Sequence, residues 1–299
     1  MTDSDKKITP AEKFDEANRN FKQVFRGRFK KPIGPKYRYL HNWTLQKSKY
    51  LLNDERCYSG NKKVYQRGAI VNVDFGVNIG TELSGNHFAI ILNKKDTPRN
   101  DKLTVIPLTS HQHPHTIELS DTIKTSSLDE FRKTELSALL SLYSVIYLRH
   151  EALIAIGKKS DTSPKDFLNS VFEGIEDDKG GVEFIEYMKG STTNQIKNKE
   201  DAIVFLKTNT DFYDTENYDD DPLFNSALSK LSEMVLKLND VLNRYELYNK
   251  TTYAKAVDIT TISKARLMKI NKYDPIGKMK VSNDVLDAID NEIHSLFLH

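Results

Sequence analysis

Three histidines within five residues form the densest group of side chains that could take part in chemistry. They lie in the segment HQHPH at 111–115. On a β-strand this spacing would place the three imidazoles on one face, where they could bind a metal ion. Pro114 interrupts such a strand, and no neighbouring cysteine or aspartate completes a set of ligands. The pattern therefore favours a loop over a metal site, and we predict no metal ligand.

A second group combines positive charge with aromatic rings near the N-terminus. Between residues 17 and 50 the chain has ten lysines and arginines and no acid, with Phe, Tyr and Trp interleaved. Cations neutralise phosphates and aromatic rings stack on unpaired bases, so this composition suits a single-stranded nucleic acid. The alternative is a basic helix that packs its aromatic side chains on the rest of the protein and leaves its cations in solvent. The residues predicted to contact nucleic acid here are Arg26, Arg28, Lys30, Lys31 and Arg38.

The overall composition restricts the class of protein. The 299 residues are 38% apolar and 29% charged, which is enough apolar material for a core and excludes wholesale disorder. The single cysteine, Cys57, excludes an internal disulfide and a multi-cysteine zinc site. The N-terminus lacks the apolar core of a secretory signal, and the longest uncharged apolar run, 136–148, is too short to cross a bilayer. We therefore expect a soluble cytoplasmic protein with no membrane partner.

The net charge of +2 hides an acidic region in the second half of the chain. Residues 176–222 contain 13 acids and 5 bases, and the densest part is DFYDTENYDDD at 211–221. One interpretation is a solvated acidic loop. The other is an acidic arm that covers a basic groove on the same chain.

Changes in residue pattern divide the chain into four predicted parts. Residues 1–62 read as a basic helical extension, with helices at 11–29 and 36–52. Residues 63–120 hold short apolar runs separated by Gly, Asn and Asp turns, which is typical of strands in a small β-barrel. Residues 121–249 are expected to be a mainly helical insertion, with 127–148 ambiguous between helix and buried strand and 157–221 largely polar. Residues 250–299 return to strand character and end in a helix capped by Ser282, so the predicted fold class is α+β.

The clearest predicted helix covers 222–248. Asp221 suits its N-cap and Pro222 its first position, and its apolar residues alternate at spacings of four and three. Such a seam can bind another chain or pack on the chain's own helices. The stripe is wide on one flank, which favours packing within the chain.

Residues 67–110 carry a resemblance to a known family. In order, the motifs are RGAIVNVDFG, GTELSGNHFAIILN and LTVIPLTS. This part resembles the N-terminal half of the MazF/PemK family of toxin ribonucleases, and AVDITTISKARL at 256–267 is similar to the family's second half. The resemblance implies an SH3-like barrel, usually dimeric, that cuts single-stranded RNA at selected sequences without a metal or other cofactor. It also implies an antitoxin protein as partner.

The resemblance also implies a set of catalytic residues. In the family an Arg after the glycine-flanked loop and a Thr at the end of a later strand serve the phosphate; Thr109 matches the Thr, whereas His87 replaces the Arg and Phe88 the usual Pro. A histidine titrates near neutral pH, so His87 suits proton transfer better than it suits fixed charge stabilisation. The alternative is a structural histidine at the start of a strand.

Further site residues follow from the same motifs. Glu82 lies in the glycine-flanked loop, where it could act as a base or bind loop amides, and Arg67 could be catalytic or form a structural salt bridge. Ser110 and His111 extend the strand end at Thr109 and could contact RNA. Two other functions stay open because the family Arg is absent: a non-catalytic RNA-binding or regulatory protein on the same barrel, and a protein-binding inhibitor.

Overall fold

The computed structural model contains two compact units. It describes residues 8–27, 33–56, 63–119, 122–159, 163–173, 181–211, 213, 221–246 and 251–298. The first unit comprises Met1–Ile123, Lys250–Lys269 and Ile276–His299, and the second comprises Lys124–Asn249 with Ile270–Pro275.

The first unit begins with two helices. Helix α1 (Pro10–Arg26) starts at a capping box, in which Thr9 and Glu12 bond reciprocally, and stops at Gly27 in the left-handed conformation. It therefore ends three residues before the predicted boundary. Helix α2 (Leu40–Glu55) follows a 3₁₀ turn at Pro35–Tyr39, where the sequence predicted one continuous helix. None of the residues of α1 is buried, whereas α2 buries Leu40.

An antiparallel sheet of seven strands forms the body of this unit. The strands are β1 (Ile70–Asp74), β2 (Asn86–Ile91), β3 (Lys102–Thr109), β4 (Thr116–Glu118), β5 (Tyr253–Lys255), β6 (Thr260–Ser263) and β7 (Leu267–Met268). Their spatial order is β4-β5-β3-β2-β1-β7, with β6 also paired to β3.

The sheet closes on itself through its C-terminal strands. Strand β6 pairs with β3, a 3₁₀ turn at Lys264–Arg266 follows, and β7 then pairs with β1 on the other side of the sheet. The interior is apolar: Ile70 pairs with Ile90, Ile90 pairs with Ile106, and all three are fully buried. The predicted α+β fold class with a barrel-like sheet is confirmed.

Helix α8 (Asn283–Phe297) completes the first unit. The hydroxyl of Ser282 accepts a hydrogen bond from the Val285 amide, as expected for the predicted N-cap. Ile289 is fully buried, and the carboxylate of Glu292 bonds Nδ1 of His115 at 2.9 Å.

The second unit is helical. The ambiguous segment 127–148 lies within one long helix, and the polar stretch after it contains three shorter helices. The helices are α3 (Thr122–Ala155), α4 (Pro164–Val171), α5 (Gly181–Gln195), α6 (Lys199–Asn209) and α7 (Asp221–Glu246).

Helix α3 contributes most of the core of this unit. Its Leu140, Val145 and Leu148 pack with Met188 of α5 and Leu206 of α6. The segment Thr125–Ala155 is long and apolar enough to cross a membrane by length and composition, but half of its most apolar window is buried inside the protein. Core helices of globular proteins share this composition, and the packing of α3 is that of a core helix.

The apolar stripe of α7 is used within the chain. Leu231, Leu238 and Tyr245 of the predicted seam are buried together with Ala227 and Val241 on its flank, whereas Val235 of the seam is exposed. The buried stripe supports packing on the chain's own helices and is centred towards the flank. Helix α7 begins at Asp221, whose carboxylate forms a salt bridge with Arg149 of α3. The rest of the acidic segment, except Asp211 and Tyr213, lies outside the described residues.

Candidate functional site

His87 is the second residue of β2 and is half-buried at the end of the sheet. Its Nε2 lies 3.1 Å from the main-chain oxygen of Ser84, and its ring packs edge-on against Phe75 at a centroid distance of 6.2 Å. A carbonyl oxygen only accepts, so Nε2 must carry the proton of the neutral ring. Nδ1 is then the basic nitrogen, and no described residue hydrogen-bonds it. The geometry leaves this nitrogen available to take a proton.

Thr109 is the last residue of β3 and lies at the same end of the sheet. The pairing between β2 and β3 ends at Ala89 and Pro107. His87 and Thr109 each lie two residues beyond that pair, in corresponding positions. Here β3 turns to pair with β5, where Thr109 is opposite Tyr253. The Thr109 hydroxyl accepts the amide of His111 at 3.2 Å, and Ser110 and His111 are exposed beside it. The structure therefore brings His87, Thr109, Ser110 and His111 to one end of the sheet.

The loop between β1 and β2, residues 75–85, is held by its own polar side chains. Asn78 Nδ2 donates to the carbonyls of Phe75 at 3.1 Å and Leu83 at 2.7 Å, and the Asn78 amide donates to Ser84 Oγ at 3.0 Å. Glu82 is exposed on this loop, and its carboxylate has no partner among the residues that the structure describes. The described residues thus include no loop amide bonded to Glu82, and its role as a base stays a prediction.

The N-terminal extension contacts this loop directly. Nζ of Lys36 donates to the carbonyls of Asn78 at 2.9 Å and Gly80 at 2.6 Å. Asn78 is bonded to Ser84, and Ser84 in turn accepts from His87. A chain of hydrogen bonds thus connects the extension to the imidazole, and the sequence pattern did not single out Lys36 for this contact.

A tryptophan from α2 forms the second contact. Trp43, the only tryptophan in the chain, lies against Gly76, where a built Cβ would be 2.4 Å from the ring. The guanidinium of Arg266 is 5.2 Å from the ring centroid, and its Nε donates to the Asp74 carbonyl at 2.7 Å. Two signals for this cluster are present in the sequence, a lone tryptophan and a loop glycine, but neither identifies the other as its partner.

Beneath the tryptophan lies a buried carboxylate. One oxygen of Asp74 accepts the Gly76 amide at 3.0 Å, and the other lies 3.4 Å from the hydroxyl of Tyr50. Burial raises the pKa of Tyr50 above its ordinary value, and the Asp74 carboxylate raises it further. Tyr50 therefore stays protonated and donates to Asp74 over the whole neutral range.

These elements enclose a groove of about 1190 Å³ within the first unit. One wall is the face of α2 and its preceding turn, and the opposite wall is the β1–β2 loop with Asn86 and β7. Ser84 and Gly85 line the groove at the end nearest His87, since a Cβ built on Gly85 would lie 3.9 Å from its Nε2. The groove therefore ends next to the predicted catalytic residue, which follows Asn86 in the chain but does not itself line the groove.

Arg67 does not lie with the other predicted site residues at the His87 end of the sheet. Its guanidinium bonds the Leu92 carbonyl and forms a salt bridge with Asp290 of α8. Leu92 follows β2 at the end opposite His87, which at the rise of a strand corresponds to about 17 Å. The structural interpretation of Arg67 is therefore the one that its contacts support.

The predicted phosphate-binding cations are only partly described. Arg26, in the last turn of α1, and Arg38, in the 3₁₀ turn before α2, are both exposed. Arg28, Lys30 and Lys31 lie outside the described residues. In the part of the chain that the structure covers, no three His, Cys, Asp or Glu side chains gather closely enough to hold a metal ion.

Comparison with known proteins identifies one family. Residues 66–175 match the model of the PemK-like, MazF-like toxin of type II toxin–antitoxin systems. The match continues through α3 and α4, which the sequence analysis assigned to an insertion, and it does not include 256–267, although β6 and β7 complete the sheet. No curated protein and no solved structure matches the chain. Over residues 66–175 the chain is therefore similar to the PemK-like, MazF-like toxins, and it has further sequence on both sides of the match, as the resemblance predicted.

Proposed function

We propose that this protein is a toxin-type endoribonuclease that cuts single-stranded RNA without a metal ion. The observation that carries the proposal is the pair His87 and Thr109 at one end of a sheet whose sequence matches the toxin family. The available Nδ1 of His87 supplies a proton acceptor, and the Thr109 hydroxyl supplies a donor. As a type II toxin it would act in the cytoplasm, be restrained by an antitoxin protein and work as a homodimer.

The proposed reaction is an attack by the ribose 2′-oxygen on the adjacent phosphorus. His87 Nδ1 takes the proton of the 2′-hydroxyl while the new P–O bond forms, and the Thr109 hydroxyl donates to a phosphorane oxygen. The bond to the 5′-oxygen then breaks, and water protonates that oxygen. The products are a 2′,3′-cyclic phosphate and a 5′-hydroxyl end. Glu82 is the alternative base, with protonated His87 as the acid for the 5′-oxygen.

The test is cleavage of a long RNA in EDTA with mapping of the new ends. We expect His87→Ala and Thr109→Ala each to lower the rate by about 10²-fold or more, the scale of a lost acid–base or charge-stabilising group. His294→Ala, an exposed histidine on α8, should cut at the parental rate. Cleavage by His87→Ala at the parental rate would remove His87 from the mechanism.

The pH dependence separates the two proton-transfer schemes. If His87 is the base, the rate of the parent rises with pH, and Glu82→Gln changes it little. If Glu82 is the base, the rate falls over the same range and Glu82→Gln is strongly impaired.

One observation favours a second function. The family Arg is replaced by His87, which carries no charge when neutral and so stabilises a phosphorane less well. A non-catalytic RNA-binding protein on the same barrel would bind RNA and leave it intact in the cleavage assay. Such a result would favour this second function over the nuclease.

A further inference from the structure

One wall of the groove beside His87 is formed by residues that precede the segment matched by the toxin family, 66–175. This wall is the α2 face, defined here as Tyr39, Asn42, Trp43, Gln46 and Tyr50, all of which line the groove. Their spacing of three, four and seven residues places them on one side of the helix. The extension at residues 33–56 therefore builds part of the site rather than lying apart from it.

The groove offers unpaired amide groups. Asn42 on the α2 face and Asn86 on the opposite wall are both exposed, and neither side chain has a hydrogen-bond partner among the residues described. An amide side chain has two donors and an acceptor, which allows it to bond the edge of an unpaired base. Gln46, in contrast, lies close to the Tyr50 hydroxyl and lowers its pKa.

The groove also offers a free aromatic ring and a free cation. The Tyr39 side chain is 66% exposed and lines the groove, so its ring face is open for stacking. Lys269 is exposed beside β7 and has no salt-bridge partner in the described parts of the chain. A stacking ring, amides and a cation in one groove match the requirements of a single RNA strand, whose bases and phosphates are recognised separately.

The carboxylate in the groove does not repel such a strand strongly. Asp74 is buried, its oxygens face the Gly76 amide and the Tyr50 hydroxyl, and Arg266 lies close by through its bond to the Asp74 carbonyl. The groove volume of about 1190 Å³ exceeds the roughly 300–1,000 Å³ of a small-molecule pocket, so it can hold more than one nucleotide.

We propose that the α2 face and Asn86 form the base-recognition site of the enzyme, and that the extension thereby sets which RNA sequence is cut. This inference rests on the proposed function, because it assumes an RNA substrate. Tyr39 stacks on a base next to the cleavage point, and Asn42 bonds the edge of one base.

The experiment compares Tyr39→Ala and Asn42→Ala with the parent on a pool of oligoribonucleotides. Loss of stacking corresponds to about 5- to 150-fold in affinity, so Tyr39→Ala should raise KM by about 10-fold or more. Its kcat at saturating RNA should change by less than about 2-fold, because Tyr39 does not contact the reacting atoms. Asn42→Ala should flatten the base preference at one position. Tyr187→Ala and Asn194→Ala, exposed residues of the same types on α5, should leave both KM and preference unchanged.

A binding measurement separates recognition from chemistry and from folding. In the His87→Ala protein, adding Tyr39→Ala should weaken RNA binding by a similar factor, with the thermal midpoint unchanged. If the parent cuts RNA and both variants keep its KM and its cleavage sites, the inference is overturned and the proposed function stands. If the parent neither binds nor cuts RNA, the proposed function is wrong, and the inference that rests on it is overturned as well. Binding of a peptide in the groove in place of RNA would also overturn the inference.

Discussion

At the scale of single residues, a buried ion pair fixes the turn that closes the sheet. Nζ of Lys264 lies 2.8 Å from the Asp96 carboxylate, and the side chains are 2% and 0% exposed. Lys264 also donates to the carbonyls of Lys63 and Thr97, at 3.0 and 3.2 Å. Asp96 accepts the Tyr65 amide at 2.8 Å and the Asn100 side chain at 2.9 Å. Both charges are thus fully bonded, which is the condition under which such a pair is tolerated in a core.

Removal of the lysine should destabilise the first unit strongly. Lys264→Met leaves the Asp96 carboxylate buried without its cation, which costs about 3–5 kcal/mol of unfolding free energy at pH 7. Denaturant unfolding measures the loss. Lys102→Met, an exposed lysine on β3, is the control and should stay within about 0.5 kcal/mol of the parent. Equal stabilities for the two variants would contradict the importance of the pair.

The same pair predicts how stability depends on pH. Burial raises the pKa of Asp96, but the hydrogen bonds from Lys264, Tyr65 and Asn100 outweigh burial, and the pKa is lowered overall. A lowered folded-state pKa gives stability that is present above the ordinary carboxyl value of about 3.9 and is lost as the pH falls towards the folded value. The stability difference between the parent and Asp96→Asn should therefore be constant from pH 7 to about 5 and shrink at lower pH. A difference that stays constant down to pH 2 would contradict this assignment.

At the scale of elements, the contact of α2 with the β1–β2 loop depends on a glycine. Gly76 has φ +76°, a conformation that disfavours side chains, and Trp43 occupies the space where a Cβ would stand. Alanine here must therefore both strain the backbone and displace the tryptophan.

Gly76→Ala should cost more than the backbone strain alone. Gly80, in the same loop, has φ +59° with nothing within 4 Å of a built Cβ, so Gly80→Ala measures the strain without the clash, about 1–2 kcal/mol. We expect Gly76→Ala to lose about 1 kcal/mol more, and the excess to vanish in the double variant with Trp43→Ala. Thermal unfolding of the parent, Gly76→Ala, Trp43→Ala and the double variant gives the cycle, and Gly80→Ala is measured beside them. If Gly76→Ala and Gly80→Ala lose the same stability, α2 does not pack on the loop in solution.

Local patterns in the sequence predicted some of these elements and not others. Strands β1 to β3 have enough alternating and β-branched residues to be recognised, whereas β5 and β7 have only three and two residues and carry no pattern. Helices α4 and α6 were missed in a polar stretch, although Ser163 and Asn198 cap them through bonds to the amides of Asp166 and Asp201.

The candidate site was only half predictable for a related reason. His87 and Thr109 are found because each belongs to a motif, and the register of β2 and β3 then brings them to one end of the sheet. The groove was not predicted, because Lys36 and Trp43 act through contacts with Asn78, Gly80, Gly76 and Arg266 that are distant in sequence. Periodicity describes which face of α2 is buried, but not what it is buried against.

At the scale of the whole molecule, the uneven distribution of charge along the chain bears on how RNA is bound. The run from residue 17 to 50 carries ten bases and no acid, and helix α1 within it buries none of its residues. Its cations are therefore available to phosphates rather than committed to packing. The alternative is that they only keep a partly apolar helix in solution, since Phe14 and Phe21 on α1 are also exposed.

The salt dependence of RNA binding decides between these interpretations. Each phosphate contact on a single strand contributes about 0.7 to the slope of log affinity against log salt. Replacing Arg19, Lys22, Arg26 and Arg38 by Gln should therefore flatten the slope by up to about 3, measured with the His87→Ala protein so that the RNA stays intact. Substitution is preferable to deletion of the extension, because Lys36 and Trp43 hold the β1–β2 loop. Lys158, Lys165 and Lys207, three exposed lysines of the second unit, are the control and should leave the slope unchanged when replaced by Gln. If the slope of the fourfold variant equals that of the parent, the basic run does not contact phosphates, and its charge serves solubility or a protein partner instead.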